Sequence, residues 1–483
     1  MLEQLVPQTV FHWFEKVSAI PRGSGRMEAI SQWCMDFAQQ RGLPCRRDAV
    51  GNVVITKPGQ GAMAACAPLI LQGHMDMVCA ATPQAEVDLT CCGPQLQTDG
   101  AFVWARETTL GADDGIAVAM ILAVLDDDRM VHPPLEAVLT VDEEAGMQGA
   151  KALDKSLLSG RRMINLDAER AGEIFAGCAG GNGMTFSLPV MRETFDGDAW
   201  QLEIGGLRGG HSGVDIHKGR ACALTLLGRV LDNLDTVGGV RVIWAEGGQA
   251  DNAIADTAAA RIQTVPGTDV TAVIDRMEKE LRQEYRVTEP ELYVHITPAQ
   301  VQEPAMDAVC TRRLLCLLQC APQGVMEMSM DVPGLPQTSC NLGILRTSQN
   351  QVTGEFCIRS ALDTQQEMMN RRISALVQVL GGHVTVRPGC PGWEFVPESP
   401  LRECCCRAWQ ETTGSAAVVK ISHAGAECGL FAAAMPGLDA VAMGPTITDV
   451  HTPRERLDAA SVDTVWRCLC RVLELLAAGE CAR

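Results

Sequence analysis

No part of the chain constrains its fold more than the stretch Leu69-Ile70-Leu71-Gln72-Gly73-His74-Met75-Asp76-Met77-Val78. Pro68 to Leu71 is a short apolar run closed by Gly73, so it reads as a buried strand and not as a helix. Side chains two apart on an extended chain share a face, so His74 and Asp76 leave that strand side by side. An imidazole beside a carboxylate can bind a metal ion, the acid holding the ring from behind. It can equally be a satisfied core histidine next to a turn aspartate. The rest of the chain has to decide.

A length of 483 residues suits two or three domains with large cores. The balance of 40 basic against 59 acidic residues, a net charge of −19, argues against a nucleic-acid surface. Met1 is not followed by a basic stretch and an apolar run, so no signal peptide is expected. No apolar segment approaches the ~18 residues of a membrane span. The 21 cysteines include no Cys-x-x-Cys pair. They lie in apolar surroundings, as at Cys468-Leu469-Cys470, or in the run Cys404-Cys405-Cys406. Reduced, buried thiols in a cytoplasmic protein are therefore expected.

Helices are predicted over 9–19, 28–40 and from Ile116 to Asp126, with strands at 52–56, 69–72, 135–141 and 162–166. This alternation predicts an α/β catalytic layer on a mostly parallel sheet. From about 185 strands and helices follow a different texture, expected to be an α+β domain with helices on one face of an antiparallel sheet. Helices at 216–234, 269–285, 305–320 and 364–380 belong to it. A Pro- and Gly-rich segment at 389–392 ends it, and alternation resumes up to a helix over 460–478. The expected organisation is a discontinuous catalytic domain, 1–184 and 392–483, with an inserted lid or dimerisation domain over 185–391.

Ligands in α/β sheets gather where strands end. His74, Glu143, Glu144 and Asp167 all stand at predicted strand ends, and Asp113 opens a helix. With His451 they supply five groups for a two-metal site: His74, Asp113, Glu144, Asp167 and His451. Imidazole and carboxylate without thiolate suit Zn²⁺ or a similar ion. Singly, each has an ordinary explanation: Asp113-Asp114 as helix caps, Glu143-Glu144 as a solvated strand end, Asp167 as a turn residue. Together, at strand ends within about a hundred residues, these explanations require too many coincidences.

The motifs Gly73-His74-Met75-Asp76, Gly111-Ala112-Asp113-Asp114, Asp142-Glu143-Glu144-Ala145-Gly146, Asn165-Leu166-Asp167 and Asp449-Val450-His451-Thr452-Pro453 resemble those of the dinuclear zinc metallopeptidases that include aminoacylases and carboxypeptidases. More narrowly, the chain resembles the aminoacyl-histidine (cytosolic Xaa-His) dipeptidases. Ile20-Pro21-Arg22-Gly23-Ser24-Gly25, Gly209-Gly210-His211-Ser212-Gly213 and His423-Ala424-Gly425-Ala426-Glu427-Cys428-Gly429 add to this, and the likeness covers nearly the whole length.

The resemblance implies two Zn²⁺ (with Co²⁺ or Mn²⁺ as substitutes) bridged by Asp113. His74 and Asp167 would complete one shell, Glu144 and His451 the other, and Asp76 would orient His74. It implies a cis peptide after Asp113; position 114 is often Asn in such relatives, so Asp114 is the weaker candidate bridge. Glu143 is the expected general base toward a metal-bridged water. His211, Asn252, Arg359 and Gly425 are the expected substrate contacts, Arg359 suiting a terminal carboxylate. Gly210-His211-Ser212-Gly213 fails the Gly-x-Ser-x-Gly pattern of a serine nucleophile.

The expected activity is hydrolysis of dipeptides, Xaa-His among them, in the cytoplasm. Small peptides would be the partners, with no nucleic acid or membrane involved and a homodimer among the expected arrangements. A tripeptidase or N-acyl amino acid amidohydrolase is the near alternative. A non-catalytic binding protein on the same fold would have lost a ligand or the base, and neither is missing.

Overall fold

An eight-stranded sheet forms the centre of the first of two units in the computed structural model, which describes residues 2–60, 64–301 and 303–479. This unit comprises Met1–Cys178, Trp393–Ser422 and Ala426–Arg483. Its strands run in the order Cys45–Arg47, Val53–Lys57, Leu135–Thr140, Leu69–His74, Arg162–Asn165, Asp439–Ala442, Glu173–Cys178 and Val418–Ser422. The middle of the sheet is parallel: Leu69–His74 runs with both Leu135–Thr140 and Arg162–Asn165.

All six residues of Leu69–His74 and of Leu135–Thr140 are buried, as expected for strands covered on both faces. Successive side chains point to opposite faces. Leu69 and Leu71 therefore join the large core under the helices Gln8–Ser18, Glu28–Gln40, Ala112–Asp126, Pro400–Thr413 and Ala459–Ala477. Ile70 and Val138 join a smaller cluster with Phe431 of the helix Glu427–Ala434. The parallel register brings His74 level with Thr140 and Gln72 level with Asn165, so three strands deliver their following loops to one edge.

A four-stranded sheet of Leu96–Thr98, Phe102–Ala105, Ile447–Thr448 and Arg456–Asp458 lies outside the sequence expectations. Its strands are two to four residues long, too short to show a period, and two of them come from the far end of the chain. It anchors the hairpin that carries His451.

The second unit, Ala179–Gly392 with His423–Gly425, holds a nine-stranded antiparallel sheet. Its order is Tyr293–Pro298, Asp198–Gly205, Ala258–Thr264, Arg241–Gly247, Pro336–Thr347, Gln351–Ser360, Gly180–Pro189 and His383–Cys390, with Gly324–Met328 paired to Pro336–Thr347. Strict in–out alternation along Gly180–Pro189 marks one covered face, over which Ala223–Gly238, Val270–Glu284, Ala308–Cys320 and Asp363–Val379 complete the core. The helix expected from 216 starts at Ala223, because Gly219 at φ +67° ends a short turn over Ile216–Lys218. Among the described residues, no helix is long and apolar enough to cross a membrane.

The helix Ala112–Asp126 is buried for almost its entire length, so water cannot satisfy its last carbonyls. Lys57 does so: its Nζ donates to the carbonyls of Val124 (3.2 Å), Leu125 (2.9 Å) and Asp127 (2.9 Å). Lys57→Met is expected to destabilise the protein by about 1–3 kcal/mol, measured by urea denaturation, since it orphans buried carbonyls at the negative end of a helix.

Candidate metal centre

Five loops converge on one edge of the parallel sheet. His74 ends its strand with Nδ1 held 3.2 Å from its neighbour's backbone carbonyl, that of Asp76, and 3.4 Å from the Asp76 carboxylate. Its free face is therefore Nε2, which lies 3.1 Å from Asp113 Oδ1 and 3.6 Å from Asp167 Oδ1. The second oxygen of Asp113 lies 3.1 Å from Nε2 of His451, whose ring also stands 2.8 Å from Glu144 Oε1. One carboxylate thus serves two imidazoles, each with a further acid. The peptide Asp113-Asp114 is cis. Asp114 turns away from His451 and accepts the backbone N–H of His74 (3.0 Å). Gly73 is needed there, because a Cβ would run into the Asp114 carboxylate.

Asp76 is the hub behind these groups. Its carboxylate accepts the backbone N–H of Glu143 (3.0 Å) and Glu144 (3.2 Å) and the Ser24 hydroxyl (2.8 Å). The chain reaches Glu143 through Asp142 at φ +53°, and His451 itself sits at φ +63°. Left-handed backbone at residues other than glycine costs energy and persists where the surroundings demand it.

The electrostatics are those of an acid cluster out of water. Burial raises Asp167 to about 7, helped by Asp113 and Glu169 and opposed by His74. Burial likewise raises Glu143 to about 9, with Asp167, Glu427 and Glu144 adding to it against His74. Asp114 and Glu169 move upward for the same reason. Asp113 goes the other way: burial opposes ionisation, but its bonds to His451 and His74 pull it well below the usual range. Those bonds and Glu144 lift His451 to about 10. His74 is also lifted, as Asp167, Asp113 and Asp76 overcome its burial.

The donor set fits divalent cations. The ligand atoms of His74, Asp113 and Glu144 lie within 4.8 Å of one another, as do those of His74, Asp114 and Asp167. Glu144 Oε1 is buried and stands 2.8 Å from the His451 ring. Imidazole and carboxylate without thiolate are ligands for Zn²⁺-like ions.

Two charged residues to which the sequence reading assigns no role clasp the Asp113 turn. Glu455 accepts the backbone N–H groups of Leu110 (2.8 Å) and Gly111 (2.9 Å) on one oxygen, and of Ala112 (2.7 Å) and Asp113 (3.3 Å) on the other. Arg22, almost wholly buried, donates to the carbonyls of Met75 (3.0 Å), Asp76 (3.2 Å) and Gly111. A Cβ at Gly111 or Gly115 would occupy the guanidinium's place. Glu427 is a second acid without an assigned role: it lies fully buried, with Gln72 and Thr140 as its hydrogen-bond donors.

The expected substrate contacts fall in the second unit, where His211, Asn252 and Arg359 come together. The Asn252 carbonyl accepts the N–H of Ser212 (2.8 Å), and Arg359 Nη2 lies 3.5 Å from His211 Nε2. His211 Nδ1 accepts the backbone N–H groups of Gly213 (3.2 Å) and Val214 (3.3 Å), so the ring proton belongs on Nε2. Arg359 Nη2 then faces a donor at Nε2, while Arg359 Nε donates to the Ser212 hydroxyl (3.5 Å). Burial and Arg359 both push the His211 pKa down, which keeps the ring neutral. Gly425 lies in the segment His423–Gly425 of the same unit. There His423 Nε2 meets the Ser339 hydroxyl at 2.7 Å, and burial lowers its pKa to about 4.

With this geometry in view, the family model described as Peptidase family M20/M25/M40 matches residues 70–475. The chain is 35% identical over 477 residues, 98% of each chain, to the cytosol non-specific dipeptidase of Escherichia coli (strain K12). It is also similar to the crystal structure of aminoacylhistidine dipeptidase from Vibrio alginolyticus, with 32% identity, a TM-score of 0.93 and 98% of each chain covered. A tripeptidase from Staphylococcus aureus shares the fold alone, at 17% identity and a TM-score of 0.56, covering 98% of this chain and 99% of that one.

Glu455→Ala would leave four N–H groups of the Asp113 turn without their acceptor. We expect a loss of about 2–4 kcal/mol in chemical denaturation, with Glu455→Gln intermediate because one amide oxygen still accepts.

Proposed function

The chain belongs to peptidase family M20/M25/M40, and from that premise we propose a dipeptidase acting on dipeptides with a free amino end, Xaa-His among them, with two Zn²⁺ as its resident ions. The names of the Escherichia coli and Vibrio alginolyticus relatives support the substrate class, and the former's "cytosol" supports a cytoplasmic location. The observation that carries the reading is the shared carboxylate, Asp113, with one oxygen 3.1 Å from each of two histidine rings.

His74 and Asp167 would hold one ion, Glu144 and His451 the other, and Asp113 both. Co²⁺ and Mn²⁺ accept the same donors and are the expected substitutes. When bound, such ions polarise a carbonyl and make water acidic enough to attack it near neutral pH. Glu143, raised to about 9 by burial and its acidic neighbours when no cation is bound, would be drawn to its carboxylate form by the cations' charge; it is assigned the proton, taking one from the attacking water and handing it to the leaving amine. Asp76 aims both parts, since it holds the backbone of Glu143 and the ring of His74. The donors His211 Nε2–H and Arg359 suit an anion, either the terminal carboxylate of the peptide or the oxyanion formed on attack. Asn252 and Gly425 are assigned to the substrate backbone.

Dipeptides, tripeptides and N-acyl amino acids offered in parallel test the assignment; turnover confined to the last group would overturn it. In the same assay Glu143→Gln is expected to lose roughly 10²–10⁴-fold in kcat. Its cation content by elemental analysis should equal that of the unaltered protein.

A pH dependence also follows. Without cations, Asp167 (about 7), Glu143 (about 9) and His451 (about 10) all have folded pKa values above their ordinary ones. The folded state then holds protons that the unfolded chain has released, so these groups lose stabilising effect as pH rises through the carboxylate range toward about 10. Cations bind the deprotonated ligands and remove that loss. The rise in Tm on adding Zn²⁺ is therefore expected to be larger at pH 8 than at pH 6, and a smaller rise would contradict the ligand assignment.

A further inference from the structure

Behind the centre lies a polar chain that crosses the sheet. Glu427 opens the helix Glu427–Ala434 among apolar neighbours such as Cys428 and Phe431, and its side chain has no exposure. Oε2 accepts from Gln72 Nε2 (2.5 Å) and Thr140 Oγ1 (2.7 Å); Oε1 is buried without a partner. An ionised carboxylate only accepts, so it turns the NH₂ of Gln72 toward itself and the amide oxygen away. That oxygen accepts Asn165 Nδ2 (2.6 Å), and Asn165 Oδ1 in turn accepts the backbone N–H of Asp167 (3.2 Å). Gln72 and Asn165 are register partners on adjacent parallel strands, which fixes the length of the relay.

We propose that Glu427 is a positioning residue which, through Gln72 and Asn165, sets the backbone of Asp167 and places a buried negative charge behind His74 and Asp167, strengthening that half of the cation site over the half built on Glu144 and His451. The proposal rests on the two-cation reading above. A carboxylate buried among apolar neighbours costs free energy that hydrogen bonds or a nearby positive charge must offset. Burial pushes the Glu427 pKa up to about 7, with Asp167 adding to it and His74 and the bonds from Thr140 and Gln72 opposing it, so cations held beside His74 and Asp167 would draw it to the ionised form; Glu427 also acts on Lys155. Lys155 spends its hydrogen bonds on the carbonyls of Ala150 and Leu153, so it is not an ion-pair partner for Glu427. The relay ends on the backbone of Asp167, a ligand of one half only, so its effect on the two cation positions is unequal.

The test is a competition titration of chelator-stripped protein with Zn²⁺ against a chromogenic chelator. Two ions per unaltered chain uphold the reading of function; fewer overturn it, and this proposal with it. Each half is then read alone, the His74/Asp167 half in a His451→Ala background and the other half in an Asp167→Ala background. Glu427→Gln keeps an acceptor for Gln72 and Thr140 and drops the charge. It is expected to weaken Zn²⁺ binding roughly 10–100-fold in the first background and less than about threefold in the second. Thr140→Val, which keeps the charge, is expected to stay within about threefold in both. Equal weakening in the two backgrounds, as a general loss of packing would produce, or no weakening in either, overturns the proposal. If Glu427→Gln does not fold, Asn165→Ala breaks the relay beyond the charge, and the same asymmetry must appear with it.

Discussion

The arrangement depends on keeping mutually repelling carboxylates together away from water. Asp113, Asp114, Glu143, Glu144 and Asp167 meet at one sheet edge, and burial alone would drive Asp113, Asp114, Glu143 and Asp167 to hold a proton. Asp113 escapes this because both its oxygens face a ring nitrogen, and the two histidines become strong bases in return. Positive charge is thus already the currency of the site in the protein alone. Divalent cations at the same positions replace shared protons with a larger charge, and every acid in the cluster gains from the exchange.

Such a cluster holds its shape only on a rigid frame. The parallel strands supply it, since their register sets the heights of His74, the Glu143 loop and Asp167 relative to each other. The Asp113 turn has no strand to hold it and is instead gripped between two buried opposite charges. Glu455 takes its N–H groups, while Arg22 takes the carbonyl of Gly111 together with those of Met75 and Asp76. This clasp joins the first turn of the helix Ala112–Asp126 to the exit of the His74 strand. It also needs Gly111 and Gly115 to leave room for the guanidinium. Removing side chains from those two positions is what admits a buried arginine.

How much of this can be read from the chain depends on whether a residue takes part in a repeating pattern. Strands such as Leu69–His74 and Leu135–Thr140 announce themselves as short apolar runs, and the ligands follow because they stand at the ends of those runs. Asp113 and Asp114 cannot be ranked by position; what separates them is that one faces two histidines while the other supports a backbone amide. The roles of Glu455, Arg22 and Glu427 are invisible for a related reason, although Arg22 and Glu427 stand in motifs that carry the family resemblance. Each is a charge buried against backbone or amide groups brought from more than fifty residues away, and single acids in polar loops carry no period. The small sheet that holds the His451 hairpin is hidden likewise, by the brevity of its strands.

The second unit solves an opposite electrostatic problem. Where the first gathers acids, His211 and Arg359 present hydrogen-bond donors to each other. A histidine beside an arginine would ordinarily be free to choose its tautomer. Here two backbone N–H groups occupy Nδ1, and protonating that nitrogen would break both contacts while adding a charge next to a guanidinium. Burial works in the same direction. Both effects favour the neutral ring with its proton on Nε2. A donor with fixed direction and fixed protonation is what an anion formed only transiently requires, because it need not reorganise as the charge appears.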